Sequence, residues 1–287
     1  MDEINKHSIL IIGGPNSGKT HFGAQLYGRL NSRQFEFKID PKNRPADLSI
    51  FEDALNKLYD GKRASHTEAG ANRNIALKIT NEKNCEIIFA FPDYAGEQIT
   101  SIVESRMVND LWQDYIDKSS SWILFIRLNE LNPLEDIIDK GIPSPDEIQN
   151  RNSQPPPVKI SEAAFFIELL QTMIYIKGLS TFNKIDSPKL TVLLSCWDEL
   201  NLPEKTVPSA QLQERLPMLF DFLKNNWQKD SFSILGLSST EKSLTDEPDD
   251  EYINRTPIKF GYIINKTGER QNDLTQSIWH FIEYEQN

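Results

Sequence analysis

The chain has 287 residues, 38% hydrophobic and 25% charged, which leaves ample room for a buried core. Its 13 glycines and 16 prolines are too few for a fibrous or low-complexity chain, and two cysteines, Cys85 and Cys196, cannot form a disulfide framework. A formal net charge of −11 repels phosphate backbones and anionic lipid headgroups, which argues against general nucleic-acid or membrane binding but leaves room for one nucleotide in a local pocket. The first residues are polar and acidic and the apolar run behind them spans only Ile9 to Ile12, so a soluble, cytoplasmic protein is expected.

In chain order, Ser8 to Ile12 is a short β-branched run bounded by glycines, the pattern of a strand covered on both faces. Thr20 to Leu30 carries helical spacing through Phe22, Leu26 and Leu30. A polar stretch follows, within which Leu48 to Tyr59 predicts a short amphipathic helix ended by Asp60-Gly61. Ile75 to Thr80 and Glu86 to Phe91 predict an antiparallel hairpin around Asn81–Asn84. A helix from Ile99 to Asp117, a strand from Trp122 to Ile126, a helix from Glu162 to Ile176 and a strand from Leu190 to Leu194 follow as βα units. Ser209 to Trp227 then predicts one helix, Phe232 to Leu235 a strand, and Leu274 to Tyr284 a closing helix. The expected fold is α/β: a doubly wound, mostly parallel sheet with one antiparallel strand, in a three-layer sandwich carrying insertions. One domain over residues 1–287 is expected, with surface insertions at 132–157, rich in proline, and at 241–258, which is acidic and poor in apolar residues.

Gly13-Gly-Pro-Asn-Ser-Gly18-Lys19-Thr20 matches the phosphate-binding pattern G-x-x-x-x-G-K-[ST], and it falls between a predicted strand and a predicted helix, the context the pattern requires. In such a loop backbone N–H groups wrap the phosphates and the helix N-terminus adds its dipole. Lys19 would bridge β- and γ-phosphates, the Thr20 hydroxyl would ligate Mg²⁺, and Asn16 and Ser17 would aim their amides inward. Asp93 ends the strand Glu86–Phe91 and opens Asp93-Tyr-Ala-Gly96-Glu97-Gln98; as alternatives it holds the metal or caps the next helix. Asp198, in Ser195-Cys-Trp-Asp198-Glu-Leu200 after a buried strand, could accept from the ring N–H and exocyclic amine of guanine, whereas adenine presents an acceptor there. A capping role for Asp198 is the alternative. Ser238, in Gly236-Leu-Ser238-Ser239, follows the last predicted strand.

These segments together resemble a P-loop GTPase of the translation-factor-related (TRAFAC) class and, along nearly the whole chain, the bacterial double-GTPase (DO-GTPase) families. The resemblance implies Ras-like switches: Asp93 holds Mg²⁺ through water, the Gly96 amide touches the γ-phosphate, and Ser238 lies in the loop that offers an amide to the guanine carbonyl. Ser195 and Cys196 stand where such proteins carry Asn and Lys in N-K-x-D, so the residue whose stem packs on the base is replaced. The region 31–73 would hold switch I, with Thr67 reaching Mg²⁺ and the γ-phosphate and Thr80 and Ser65 as alternatives. Glu97 matches the position of the water-orienting glutamine, and Gln98 follows it. A carboxylate beside a triphosphate is repelled unless screened or protonated, so slow intrinsic turnover is expected.

The expectation is therefore a Mg²⁺-dependent GTP-binding switch, cycling between GTP and GDP, with Lys19, Glu97, Gln98 and Thr67 in catalysis and Thr20, Thr67 and Asp93 around the metal. By resemblance its partner is a protein effector or a second GTPase in a bacterial conflict or defence system, and an oligomer is left open. The alternatives are an ATPase on the same fold and a nucleotide-locked assembly subunit that does not hydrolyse.

Overall fold

A computed structural model describes residues 5–32, 37–40, 42, 45, 47–64, 75–81, 85–92, 97–131, 161–180, 182–275 and 277–278; for Asn5, Lys6 and Glu97 only the backbone is described. Among these residues nine strands form one sheet: β1 (Asn5–Gly13), β2 (Lys38–Ile39), β3 (Ile75–Thr80), β4 (Cys85–Phe91), β5 (Ser121–Ile126), β6 (Lys189–Ser195), β7 (Phe232–Ser238), β8 (Tyr262–Ile264) and β9 (Arg270–Gln271). Their order is β2-β3-β4-β1-β5-β6-β7-β8-β9. The five central strands, β4-β1-β5-β6-β7, are mutually parallel, with Ile12 opposite Leu124 and Leu193 opposite Leu235.

The hydrophobic runs explain the three layers. Side chains alternate across a strand, so Ile9 and Ile11 of β1 and Ile123 and Phe125 of β5 enter one core, while Leu10, Ile12, Trp122, Leu124 and Ile126 enter the other. The first core is closed by α1 (Lys19–Asn31) and α2 (Ser49–Tyr59), through Phe22, Leu26, Phe51 and Leu58, and by Tyr252 of α8 (Asp250–Arg255). The second is closed by α3 (Glu97–Ser105), α4 (Asp110–Lys118), α5 (Glu162–Ile176), α6 (Pro208–Arg215) and α7 (Pro217–Asn226), through Ile102, Trp112, Leu169, Leu212 and Leu223. Between β6 and β7 a buried Thr191–Ser233 hydroxyl pair, 3.0 Å apart, satisfies two polar groups that face each other across the ladder.

Three elements depart from expectation. The single helix over Ile99–Asp117 is two helices: Arg106 turns left-handed at φ 57°, and Asn109 restarts the chain by capping the Trp112 N–H at 2.9 Å. The helix over Ser209–Trp227 is likewise two, because Pro217 has no N–H to donate and forces Leu216 out of helical geometry, to φ −134° and ψ 61°. The sheet contains a second strand antiparallel to the core. Besides β3 against β4, β8 runs against β7, and a turn over 265–268 brings β9 back along it. In that turn Asn265 Oδ1 accepts the amides of Thr267 and Glu269, each at 2.9 Å. Of the closing helix, 274–275 form a turn and 277–278 are helical; its remainder lies outside the described residues, as does the proline-rich 132–157.

The acidic stretch 241–258 includes α8 and runs along the end of α2. Asp249 N donates to Gly61 O at 3.0 Å, Arg63 N to Thr245 O at 2.8 Å, and Arg63 pairs with Asp246. Tyr252 is fully buried and stacks on Phe260, with ring centroids 4.0 Å apart.

Candidate nucleotide site

All the loops that matter leave the carboxyl ends of the parallel strands, where backbone turns and helix N-termini converge. The phosphate loop leaves β1 at Gly13 and feeds α1. Gly18 sits at φ 85°, a left-handed conformation that side-chain-bearing residues adopt only with strain. Asn16 is also left-handed, at φ 58°. Lys19 is buried to 4% exposure, and its ammonium donates to the carbonyls of Gly13 and, at 2.8 Å, Gly14, so it lies inside the curl of the loop. Ser17 Oγ donates to Gly14 O at 2.7 Å, which holds the turn closed. Thr20 occupies the first turn of α1. Behind it, the Ala64 N–H donates to His21 Nε2 at 3.2 Å, so the chain that leads toward position 67 starts beside the phosphate loop.

The second part of the site is the turn after β6. Cys196 is left-handed at φ 53° and starts a 3₁₀ turn over Trp197–Leu200. A β-carbon placed on Gly18 would lie 3.5 Å from Ser195 Cβ and 3.8 Å from Cys196 Sγ, so the phosphate loop and this turn are in contact. Ser195 Oγ reaches back to Ile126 O at 3.3 Å. Trp197 packs against the backbone of β7: a β-carbon on Gly236 would be 2.7 Å from its ring, so only glycine admits the indole there. That contact fixes the turn, and with it Asp198.

The Asp198 carboxyl and the Ser238 hydroxyl lie side by side, close enough to interact. Burial raises the Asp198 carboxyl above its ordinary range, against hydrogen bonds from Ser238 and its own backbone that pull it down. Tyr262, from the antiparallel β8, shares Ser238 and is pushed up to about 12, mainly by burial and then by the Asp198 charge. Arg270 covers the Tyr262 ring at 4.0 Å and pairs with Glu241, whose N–H donates to Ser238 Oγ at 2.8 Å. The Cys196 thiol is driven up to about 12, first by burial, so it stays protonated and inert.

Of the residues expected to form the site, Gly13, Asn16, Ser17, Gly18, Lys19, Thr20, Ser195, Asp198 and Ser238 lie on this rim. Thr67, Asp93 and Gly96 lie outside the described residues, as does the side chain of Glu97, the first residue of α3. Gln98 Oε1 accepts the indole N–H of Trp112 at 2.8 Å, which ties its amide to α4. Arg106 pairs with Glu168 of α5, and Thr80 pairs in register with Lys38 at the sheet edge. Sequence reasoning missed Arg127, Glu199 and Tyr262. Arg127 is the first residue after the fully buried β5, and that position at the carboxyl edge of a central strand was the available signal.

A hard-oxygen donor set suits Mg²⁺, and the Thr20 hydroxyl on the first turn behind the phosphate loop fits it. Fold and site together define a P-loop nucleotide-binding α/β protein. The Double-GTPase 1 family model (DO-GTPase1) matches residues 10–281, and the chain belongs to that family. Among solved structures, the chain is similar to the small GTPase Arl6 (BBS3) of Trypanosoma brucei, determined with the nucleotide analogue GppNp. The identity is 13% and the TM-score 0.39, covering 82% of this chain and 88% of that one. No curated protein gives a significant match. No helix among the described residues is long and apolar enough to cross a membrane.

Proposed function

We propose that the protein is a cytoplasmic, Mg²⁺-dependent GTP switch with slow hydrolysis, acting through a protein effector or a second GTPase in the bacterial conflict systems that the family resemblance suggests. One observation carries the reading. Gly18 of the phosphate loop packs on Ser195 and Cys196, three and two residues before the carboxylate that lies beside Ser238, so phosphate-holding and purine-reading groups occupy one rim.

At the phosphates, loop amides donate to β- and γ-oxygens and the Lys19 ammonium leaves its loop carbonyls for them. At the base, the ionised Asp198 accepts two guanine N–H groups that adenine lacks. Mg²⁺, held by Thr20 together with Thr67 and Asp93, would neutralise charge on the terminal phosphates. Slow turnover is supported by Gln98, whose amide is engaged by Trp112, and by the acidic character of Glu97 at the head of α3.

Titration with GTP, GDP and ATP, followed by single-turnover phosphate release from wild type, Glu97→Ala and Gln98→Ala, tests this. Tight guanine binding with slow release that falls further in Glu97→Ala is expected. Preference for ATP would overturn the base assignment, and tight GTP binding without any release would make the chain a nucleotide-locked subunit instead.

A further inference from the structure

Three loops of the site are joined by one ion-paired cluster that neither the motifs nor the family assignment explains. Arg127 leaves β5 beside the phosphate loop. Its guanidinium donates to both carboxylate oxygens of Glu199, through Nε at 3.1 Å and Nη2 at 2.8 Å to each oxygen, and through Nη1 to Glu130. The same Nη1 donates to the main-chain carbonyl of Asn16 at 3.3 Å. Ser243 Oγ donates to Glu199 Oε1 at 3.0 Å. Both charged side chains are partly sheltered, 24% exposed for Arg127 and 18% for Glu199, so the bidentate pair is less screened than a surface one. Burial pulls Arg127 down, but Glu199 and Glu130 outweigh it and hold it above its ordinary value.

The geometry of the Asn16 contact gives this cluster a consequence for the ligand. A trans peptide is planar, with its C=O and N–H pointing to opposite sides. Holding the Asn16 carbonyl toward Arg127 therefore turns the N–H of Ser17 the other way, into the curl of the loop, where it donates to Gly14 O at 3.4 Å beside the Lys19 ammonium. Glu199, the other anchor, follows Asp198 directly, so the same guanidinium fixes the turn that reads the base. Position 196, also within van der Waals reach of Gly18, carries a neutral thiol and supplies no cation there.

We propose that Arg127 is a positioning residue for the bound nucleotide: it orients the Asn16–Ser17 peptide toward the phosphates and locks that loop in register with the Asp198 turn through Glu199. The proposal rests on the nucleotide-binding reading above. Arg127→Gln should raise the Kd for GDP and for GTP by on the order of tenfold, the worth of one charge-assisted contact. In the GDP complex the Ser17 amide proton should move upfield by NMR, a change that a merely structural role would not produce. Arg127→Lys, which keeps a donor for Asn16 but not the fork on Glu199, should recover part of the affinity and most of the Ser17 shift. Glu199→Gln should weaken binding in the same direction by less, and it decides the matter should Arg127→Gln fail to fold. Losses that run through Glu199 are separated from those that do not by the double variant Arg127→Gln/Glu199→Gln, which should bind no more weakly than Arg127→Gln alone.

Wild-type affinity in Arg127→Gln, or lost affinity with an unmoved Ser17 amide, would overturn the positioning role while leaving nucleotide binding intact. Failure of the wild-type chain to bind any guanine nucleotide would instead remove the underlying reading, and the positioning role with it.

Discussion

At the phosphate end, a single stretch from Gly13 to Thr20 carries the loop, the Lys19 ammonium and the Thr20 hydroxyl, and its geometry is set by local backbone: Gly18 at φ 85° and Asn16 at φ 58°. At the base end, Asp198 depends on Trp197 lying on Gly236 of β7, on Ser238 from the same strand, and on Tyr262 and Arg270 from an antiparallel pair at the far edge of the sheet. One end is a motif, the other an assembly. A motif tolerates change elsewhere in the molecule, whereas an assembly fails when any one of its distant supports moves.

The largest effect should come from the phosphate end. Lys19→Ala removes the buried ammonium, and GTP affinity should fall on the order of a thousandfold by calorimetry with ATP affinity falling alongside, because phosphates are common to both. Equal binding in the variant would break the site assignment altogether. Next, Asp198→Asn should cost GTP on the order of tenfold to a hundredfold and leave ATP unchanged. The same variant should gain affinity for xanthosine triphosphate, whose base carries a carbonyl where guanine has its amine, since the asparagine amide can donate to it. Parallel losses for GTP and ATP would mean that Asp198 does not read the base.

Gly236→Ala sharpens the contrast between the ends. Its new methyl would press on the Trp197 ring at 2.7 Å, and both the indole and the strand are hemmed in, so stability should drop by about 1–3 kcal/mol in thermal or urea unfolding. Guanine preference over adenine should fall more than triphosphate affinity does, because the displaced turn carries Asp198 and spares Lys19. A uniform loss across nucleotides would show that the two ends are not separable.

This division also explains what could be read from the sequence. The central strands and α1, α2 and α5 were legible because their apolar periodicities are long and uninterrupted, and the phosphate loop because its chemistry is contiguous. Both helix breaks were encoded locally, in Pro217 and in the Asn109 cap, but each lies inside an otherwise continuous helical pattern that outweighs a single residue. Strands β8 and β9 are three and two residues long, too short for an alternation to register. Arg127 and Glu199 are 72 positions apart, and nothing in either neighbourhood specifies the other; only the parallel pairing of β5 with β6 brings their ends together.

The smallest effect concerns pH and separates the two ends once more. Burial raises the Asp198 carboxyl, so the folded, ligand-free chain holds that proton more tightly than the unfolded chain does. Its contribution to stability is therefore present at acidic pH and is lost as pH rises through the raised value. Guanine reading has the opposite sign, since only the carboxylate accepts both N–H groups. On acidification into the region just above the ordinary carboxylate range, GTP affinity should decline severalfold while the chain gains slightly in stability from this group. Asp198→Asn should flatten both dependences, and ATP binding, which does not use the carboxylate, should follow phosphate protonation alone in wild type and variant. A GTP profile that matches the ATP profile would place the titrating group at the phosphate end instead.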